Sequence, residues 1–138
     1  MQMAASYIFT ETNKMENTRE IKRGEMYYAN FCPNVGNEQG GIRPVLVIQN
    51  DRNNKTSTTT IVAAMTGKKK KKQRTHVNVS GCGLKKETII LLEQVRTIDK
   101  SRLQGYIGTL DDQAMAKVDR AIVESFGIKY LEVLVNGK

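Results

Sequence analysis

The sequence predicts a mainly β domain: a small antiparallel β-barrel closed by one C-terminal helix. Three observations lead there. Short runs of β-branched, aliphatic and aromatic residues recur between Glu25 and Gly108, separated by turn-forming clusters. The hydrophobic period changes once, to helical spacing, between Leu110 and Phe126. The length of 138 residues suits one core and gives no reason to split it.

Residues 1–20 are polar and carry no period, so they read as a mobile N-terminal leader, with Met15 as an alternative start; residues 21–138 read as a single domain. Glu25 to Phe31 is an aromatic-rich strand that breaks at Cys32-Pro33. Asn34 to Gly41 contains Gly36, Gly40 and Gly41 and no apolar period, which makes it a flexible loop. Arg43 to Gln49 is nearly all apolar after Pro44, as in a strand covered on both faces. Asp51 to Ser57 is a polar turn region, and Thr58 to Thr66 a second β-branched strand. The lysine run Lys68 to Lys72, followed by Gln73 and Arg74, repels itself and is placed in a solvated loop. Thr75 to Val79 alternates, Gly81-Cys82-Gly83 turns the chain, Glu87 to Gln94 is a long apolar strand, and Leu103 to Gly108 a short sixth one. Leu110, Ala114, Met115, Val118, Ile122 and Phe126 then recur at helical spacing, with Asp111 as N-cap and Gly127 as the stop. Ile128 to Val135 fits either a further short strand or a docked tail. No internal repeat occurs.

A net charge of +8, from 22 Lys and Arg against 14 Asp and Glu, favours a polyanionic partner, nucleic acid first. No stretch reaches the roughly 18 apolar residues of a membrane span, and the first residues lack the basic and apolar regions of a secretory signal. Two cysteines, Cys32 and Cys82, are too few to staple a domain; they suit a reducing cytoplasm and read as inert packing or loop residues.

Folding Arg43–Gln49 and Thr58–Thr66 into an antiparallel hairpin about Asn54-Lys55 sets Gln49 against Thr60, Val47 against Val62, Val45 against Ala64, and Arg43 against Thr66. The apolar pairs agree with one another. At the open end of the ladder they leave a guanidinium and a hydroxyl side by side, next to the glycine-rich and lysine loops, where a phosphate could bind. A slip of one residue would send the two groups to opposite faces.

Cleaving RNA without a metal requires taking a proton from a 2′-hydroxyl, holding charge on the phosphorane and protonating the departing 5′-oxygen. The single histidine, His76, excludes a histidine pair, and no cluster of carboxylates, Cys and His has metal-ligand spacing. Arg43 offers a permanently charged, planar fork to a developing phosphorane, and Thr66 a hydrogen-bond donor to the same phosphate. Glu38, in the loop before Arg43, is the nearest carboxylate for the base. Against this stand plainer roles: a strand-start Arg is commonly a surface ion-pair partner, a strand-terminal Thr reflects β-propensity, and a lysine run is commonly only solvated.

The segments Lys22-Arg23-Gly24-Glu25-Met26-Tyr27-Tyr28-Ala29 and Val35 to Asp51, the latter containing Asn37-Glu38-Gln39-Gly40-Gly41-Ile42-Arg43-Pro44, resemble the MazF/PemK toxin family. Ile61 to Thr66, Leu91-Leu92-Glu93-Gln94-Val95-Arg96-Thr97-Ile98-Asp99-Lys100 and the closing helix follow in that family's order, so the resemblance covers about residues 21–126. It implies an SH3-like, PemK-type barrel and a metal-independent, cofactor-free mRNA interferase that cuts single-stranded RNA at a short sequence, leaving 2′,3′-cyclic phosphate and 5′-hydroxyl ends. It also implies a homodimer with RNA crossing the interface, and a cognate antitoxin whose disordered tail folds onto the same groove. Arg43 and Thr66 take the family's catalytic positions, with Glu38 as candidate base. Phe31 is the candidate for stacking on a base, Gln94 for hydrogen bonding to one, and Gln39, Lys68, Lys69, Lys70 and Arg74 complete the RNA-binding set. The lysine run and the leader depart from the family pattern. The alternative is a non-nuclease barrel of the same superfamily that binds a protein target such as DNA gyrase; an SH3-like RNA-binding module is a third reading.

Overall fold

The computed structural model describes residues 20–31 and 40–129. The leader and the tail after Lys129 lie outside the described residues, as do Cys32, Glu38 and Gln39.

Six antiparallel strands form one sheet: β1 (Glu25–Asn30), β2 (Ile42–Val47), β3 (Thr59–Thr66), β4 (His76–Val79), β5 (Thr88–Asp99) and β6 (Leu103–Thr109), in the order β4-β5-β3-β2-β1-β6. The sheet curls into a half-barrel. The turn between β4 and β5 reaches the β6 edge, where a Cβ on Gly83 would lie 2.0 Å from the Ile107 carbonyl oxygen and one on Gly108 1.7 Å from that of Cys82. The expected barrel is therefore drawn together at one end by a loop; β4 and β6, the two edges, are not ladder neighbours.

Alternation along the strands feeds two cores, one on each face. Met26, Leu46, Ala63, Met65, Val77, Ile90 and Leu92 point toward the helix α2 (Asp112–Phe126), which contributes Val118 and Ala121. Tyr27, Ala29, Val45, Val47 and Val62 point the other way and meet Ile21, Phe31, Ile98 and Leu103. The β2 run is thus covered on both sides from Val45 onward, as its apolar sequence required. The helix is capped as expected: Asp111 accepts from the Ala114 N–H, and Gly127 ends it in the left-handed region at φ 67°. Phe126, expected on the apolar face, is 60% exposed.

Two segments differ from expectation. Asp51–Thr56, expected as a turn, is a short helix, α1, capped by Asn50, whose side chain accepts from the Asn53 N–H at 2.8 Å. A helix this short is marginal by itself, and a buried polar knot fastens it. The Asn54 carboxamide oxygen accepts from Gln49 Nε2 at 2.9 Å and from Thr60 Oγ1 at 2.7 Å, while its own amide donates to the Gln49 carbonyl at 2.9 Å. The knot sits where the register sets Gln49 against Thr60, so it also fixes the hairpin's closed end. Asn54→Ala would leave the fully buried Thr60 hydroxyl and the Gln49 carbonyl oxygen unpaired. It is expected to cost about 2 kcal/mol, read from urea unfolding midpoints.

β5 is the second difference. It runs on to Asp99 because it contains a wide bulge: Ala63 pairs with Val95 but Ala64 with Leu91, leaving Leu92, Glu93 and Gln94 unmatched. Such bulges bend the strand and re-aim its side chains.

Candidate active site

Val45, Leu46 and Val47 pair with Ala64, Ala63 and Val62, the alignment expected from the sequence. Continued to the strand ends, it sets Arg43 against Thr66, with Ala29 of β1 on the other side of Arg43. Alternation places both side chains on the face of Val45, Val47 and Val62, at its open rim.

Arg43 is exposed; its Nε donates to the Gly40 carbonyl at 3.3 Å, and among the described residues no carboxylate pairs with it. Its fork therefore remains available to an anion. Thr66 is half-buried, and its Oγ1 accepts from the Lys68 N–H at 3.2 Å, leaving the hydroxyl proton to donate elsewhere. Arg43 lines a cavity of about 590 Å³ floored by Val45, Val62 and Ala64. Thr66 stands outside that lining.

Gln94, at the end of the β5 bulge, and Val95, Arg96 and Thr97 beyond it complete the lining. Gln94 is exposed there. Phe31 also lines the cavity, but it is buried, and the Arg96 guanidinium sits 4.6 Å from its ring centroid. On that side the ring already holds a cation. Arg96 and Thr97, although they fall in the segment that follows the family's order, are not singled out by the sequence, because the bulge, which no alternation pattern encodes, decides which way they point.

Glu93, the bulge's other polar residue, accepts from Thr75 Oγ1 at 2.9 Å and faces His76 Nε2 at 2.9 Å. Burial works to raise its pKa, but hydrogen bonds from His76, the backbone and Thr75 outweigh that and hold the carboxyl below its ordinary value. The His76 ring is thus held through Nε2, while its buried Nδ1 has no partner among the described residues. Cys82 is an exposed free thiol in the β4–β5 turn.

The lysine run is an exposed irregular loop. Lys68 and Lys69 follow directly on Thr66 and are exposed. Lys70 and Arg74 line a separate cavity of about 660 Å³ between the loop, β4 and α2, together with Lys117 and Arg120. Arg74 there pairs with Glu124 at 3.2 Å. Lys70 and Arg74, expected in the RNA-binding set next to Arg43, thus line a different cavity from it. Among the described residues no three His, Cys, Asp or Glu side chains gather as a metal site.

The family model for "PemK-like, MazF-like toxin of type II toxin-antitoxin system" matches residues 22–126, spanning the whole sheet and α2. The chain belongs to the MazF/PemK toxin family. It is 51% identical over 111 residues to "Endoribonuclease EndoA" of Bacillus subtilis (strain 168), covering 78% of this chain and 96% of that one. The fold is shared with MazF of Deinococcus radiodurans, at a TM-score of 0.67 and 24% identity over 78% of this chain and 97% of that one. It is shared equally with a mycobacterial endoribonuclease solved in complex with its cognate antitoxin, at a TM-score of 0.68 and 19% identity over 79% of this chain and 97% of the other. MazF/PemK membership and the Arg43–Thr66 alignment thus concern the same stretch of chain.

Proposed function

We propose that this MazF/PemK toxin is an endoribonuclease that cuts single-stranded RNA at the Arg43/Thr66 rim, without a metal or other cofactor. The observation that carries this is the β2–β3 alignment: continued from Val45 and Ala64 to the strand ends, it brings Thr66 into register with Arg43, which lines a cavity large enough for a nucleotide and pairs with no carboxylate among the described residues. The 51% identity to a Bacillus protein named an endoribonuclease supports it.

In this reading the 2′-oxygen of the substrate attacks the adjacent phosphorus as its proton passes to a base. The P–O5′ bond breaks and the 5′-oxygen takes up a proton, leaving a 2′,3′-cyclic phosphate and a 5′-hydroxyl. Arg43 holds the two charges that build on the phosphorane oxygens, and the Thr66 hydroxyl donates to one of them. Glu38 is the proposed base and Gln39 a further RNA contact. Gln94 reads a base edge, and Phe31 supports the stacking position through Arg96. The protein works in the cytoplasm, as a homodimer, and is silenced by a cognate antitoxin. No helix among the described residues is long and apolar enough to cross a membrane.

Purified protein in excess EDTA is expected to cut a long RNA at a few discrete positions whose new 5′ ends are hydroxyls. Intact RNA under EDTA, with cutting restored by magnesium, would remove the metal-free mechanism. The lysine loop makes a separate prediction. Replacing Lys68, Lys69, Lys70, Lys71 and Lys72 by serine is expected to weaken RNA binding and to flatten log Kd against log salt by about 0.7 for each phosphate that a lysine no longer neutralises. An unchanged slope would show that the run touches no RNA.

A further inference from the structure

A third cavity, of about 600 Å³, opens on the opposite, helix-bearing face of the sheet. Its lining includes Pro44 and Gly67, the residues that follow Arg43 and Thr66, so it lies just across the rim from the proposed cutting site. Strand alternation makes this necessary, because neighbours in a strand face opposite ways.

Its walls have the chemistry of a nucleotide subsite. Tyr28 is 41% exposed, and its ring rests beside Gly105, whose added Cβ would lie 3.7 Å from Cδ2. Tyr106 borders the cavity from β6, although its ring packs edge-on to Tyr27, which points to the other face, with centroids 5.6 Å apart. The Lys86 side chain crosses directly over Gly67, so close that a Cβ there would lie 2.8 Å from Nζ; its ammonium thus stands beside the residue after Thr66. Lys85 adds a second cation, and among the described residues no carboxylate lines the space.

We infer that this cavity binds the nucleotide of the RNA substrate that neighbours the cut phosphate, Tyr28 stacking on its base and Lys86 pairing with its phosphate. The inference rests on the nuclease reading. RNA bent over the rim leaves one flank in the Arg43 cavity and lays the other on Tyr28. An aromatic face beside an ammonium suits a base and its phosphate in a sequence-tolerant way. Self-association through the same patch is disfavoured, since a two-fold contact would bring Lys85 and Lys86 against their own copies.

The test uses a short RNA with one mapped cut, a set of the same RNA with single abasic positions on either side of it, and a copy with a 2′-deoxy sugar at the cut for binding measurements. One abasic position is expected to raise KM about tenfold for the wild-type protein, with kcat little changed. Tyr28→Ala is expected to raise KM equally on intact RNA and to add nothing on that abasic RNA, whereas Tyr28→Phe behaves as wild type. Lys86→Met is expected to lower the salt slope of binding to the 2′-deoxy RNA by about 0.7. This exposed change leaves the core alone and decides the matter if Tyr28→Ala does not fold. An unchanged KM, an equal loss on every abasic RNA, or a change of oligomeric state in Tyr28→Ala would overturn the subsite while leaving the nuclease intact. A wild-type protein that cuts none of these RNAs ends both.

Discussion

Arg43→Ala is expected to slow single-turnover RNA cleavage by about 10²- to 10³-fold, or about 3–4 kcal/mol of transition-state stabilisation, while leaving the unfolding temperature nearly unchanged. Both halves follow from the position of the side chain. It is exposed, its hydrogen bond to the Gly40 carbonyl is a long one, and it belongs to neither core cluster, so removing it strands no buried group. The variant lacks a fixed cation at the point where the phosphorane gains charge. Arg43→Lys keeps the charge but not the planar, two-pronged donor set, and is expected to fall between the two. Binding to the 2′-deoxy RNA should weaken only modestly, because Gln94, Arg96 and the lysine loop remain. An Arg43→Ala protein that cuts at near-normal rate would take the rim out of the chemistry.

How much of this is legible in the sequence depends on what kind of signal a residue leaves. The β2–β3 register can be read because Val45, Val47, Val62 and Ala64 each constrain it in the same sense, so that Arg43 and Thr66 follow from their neighbours. Helix α2 can be read because its cap, its period and its stop agree. Phe126 misleads because periodicity places a residue on a helix face without saying how far the partner sheet extends.

The α1 helix is hidden by composition: Asp-Arg-Asn-Asn-Lys-Thr is turn chemistry, and only the tertiary bonds of Asn54 to Gln49 and Thr60 make it a helix. The cavity wall is hidden by the β5 bulge. Alternation carried on from Ile90 and Leu92 would put Gln94 and Arg96 on the helix-bearing face, and three unmatched residues turn them to the side of Phe31 instead, even though Gln94 can be picked out on its segment. The division of the basic surface is illegible for a third reason, that a lysine run has no period and its direction is set by where β4 and α2 happen to lie.

The closure of the sheet leaves no pattern either, and it gives the largest expected effect on stability. The β4–β5 turn presses backbone against backbone on β6: the Cβ that alanine would add at Gly108 falls 1.7 Å from the Cys82 carbonyl oxygen and 2.7 Å from its carbon. Neither atom is the end of a side chain that can swing away. The turn is already constrained, with Cys82 at φ 52° and Gly83 at φ 94°, so relief must come from lifting it off the strand and opening the core behind it. Gly108→Ala is expected to cost about 3 kcal/mol or more, read as a fall of about 10 °C in Tm. Gly105→Ala, in the same strand but with its nearest neighbour at 3.7 Å, should stay within about 0.5 kcal/mol of wild type. Cleavage should fall with stability in Gly108→Ala, since the same turn leads into Thr88 and Ile89, and Ile89 pairs with Thr66 at the rim. If Gly108→Ala melts with the wild type, the turn does not hold the two ends of the sheet together, and the rim must owe its shape to the hairpin alone.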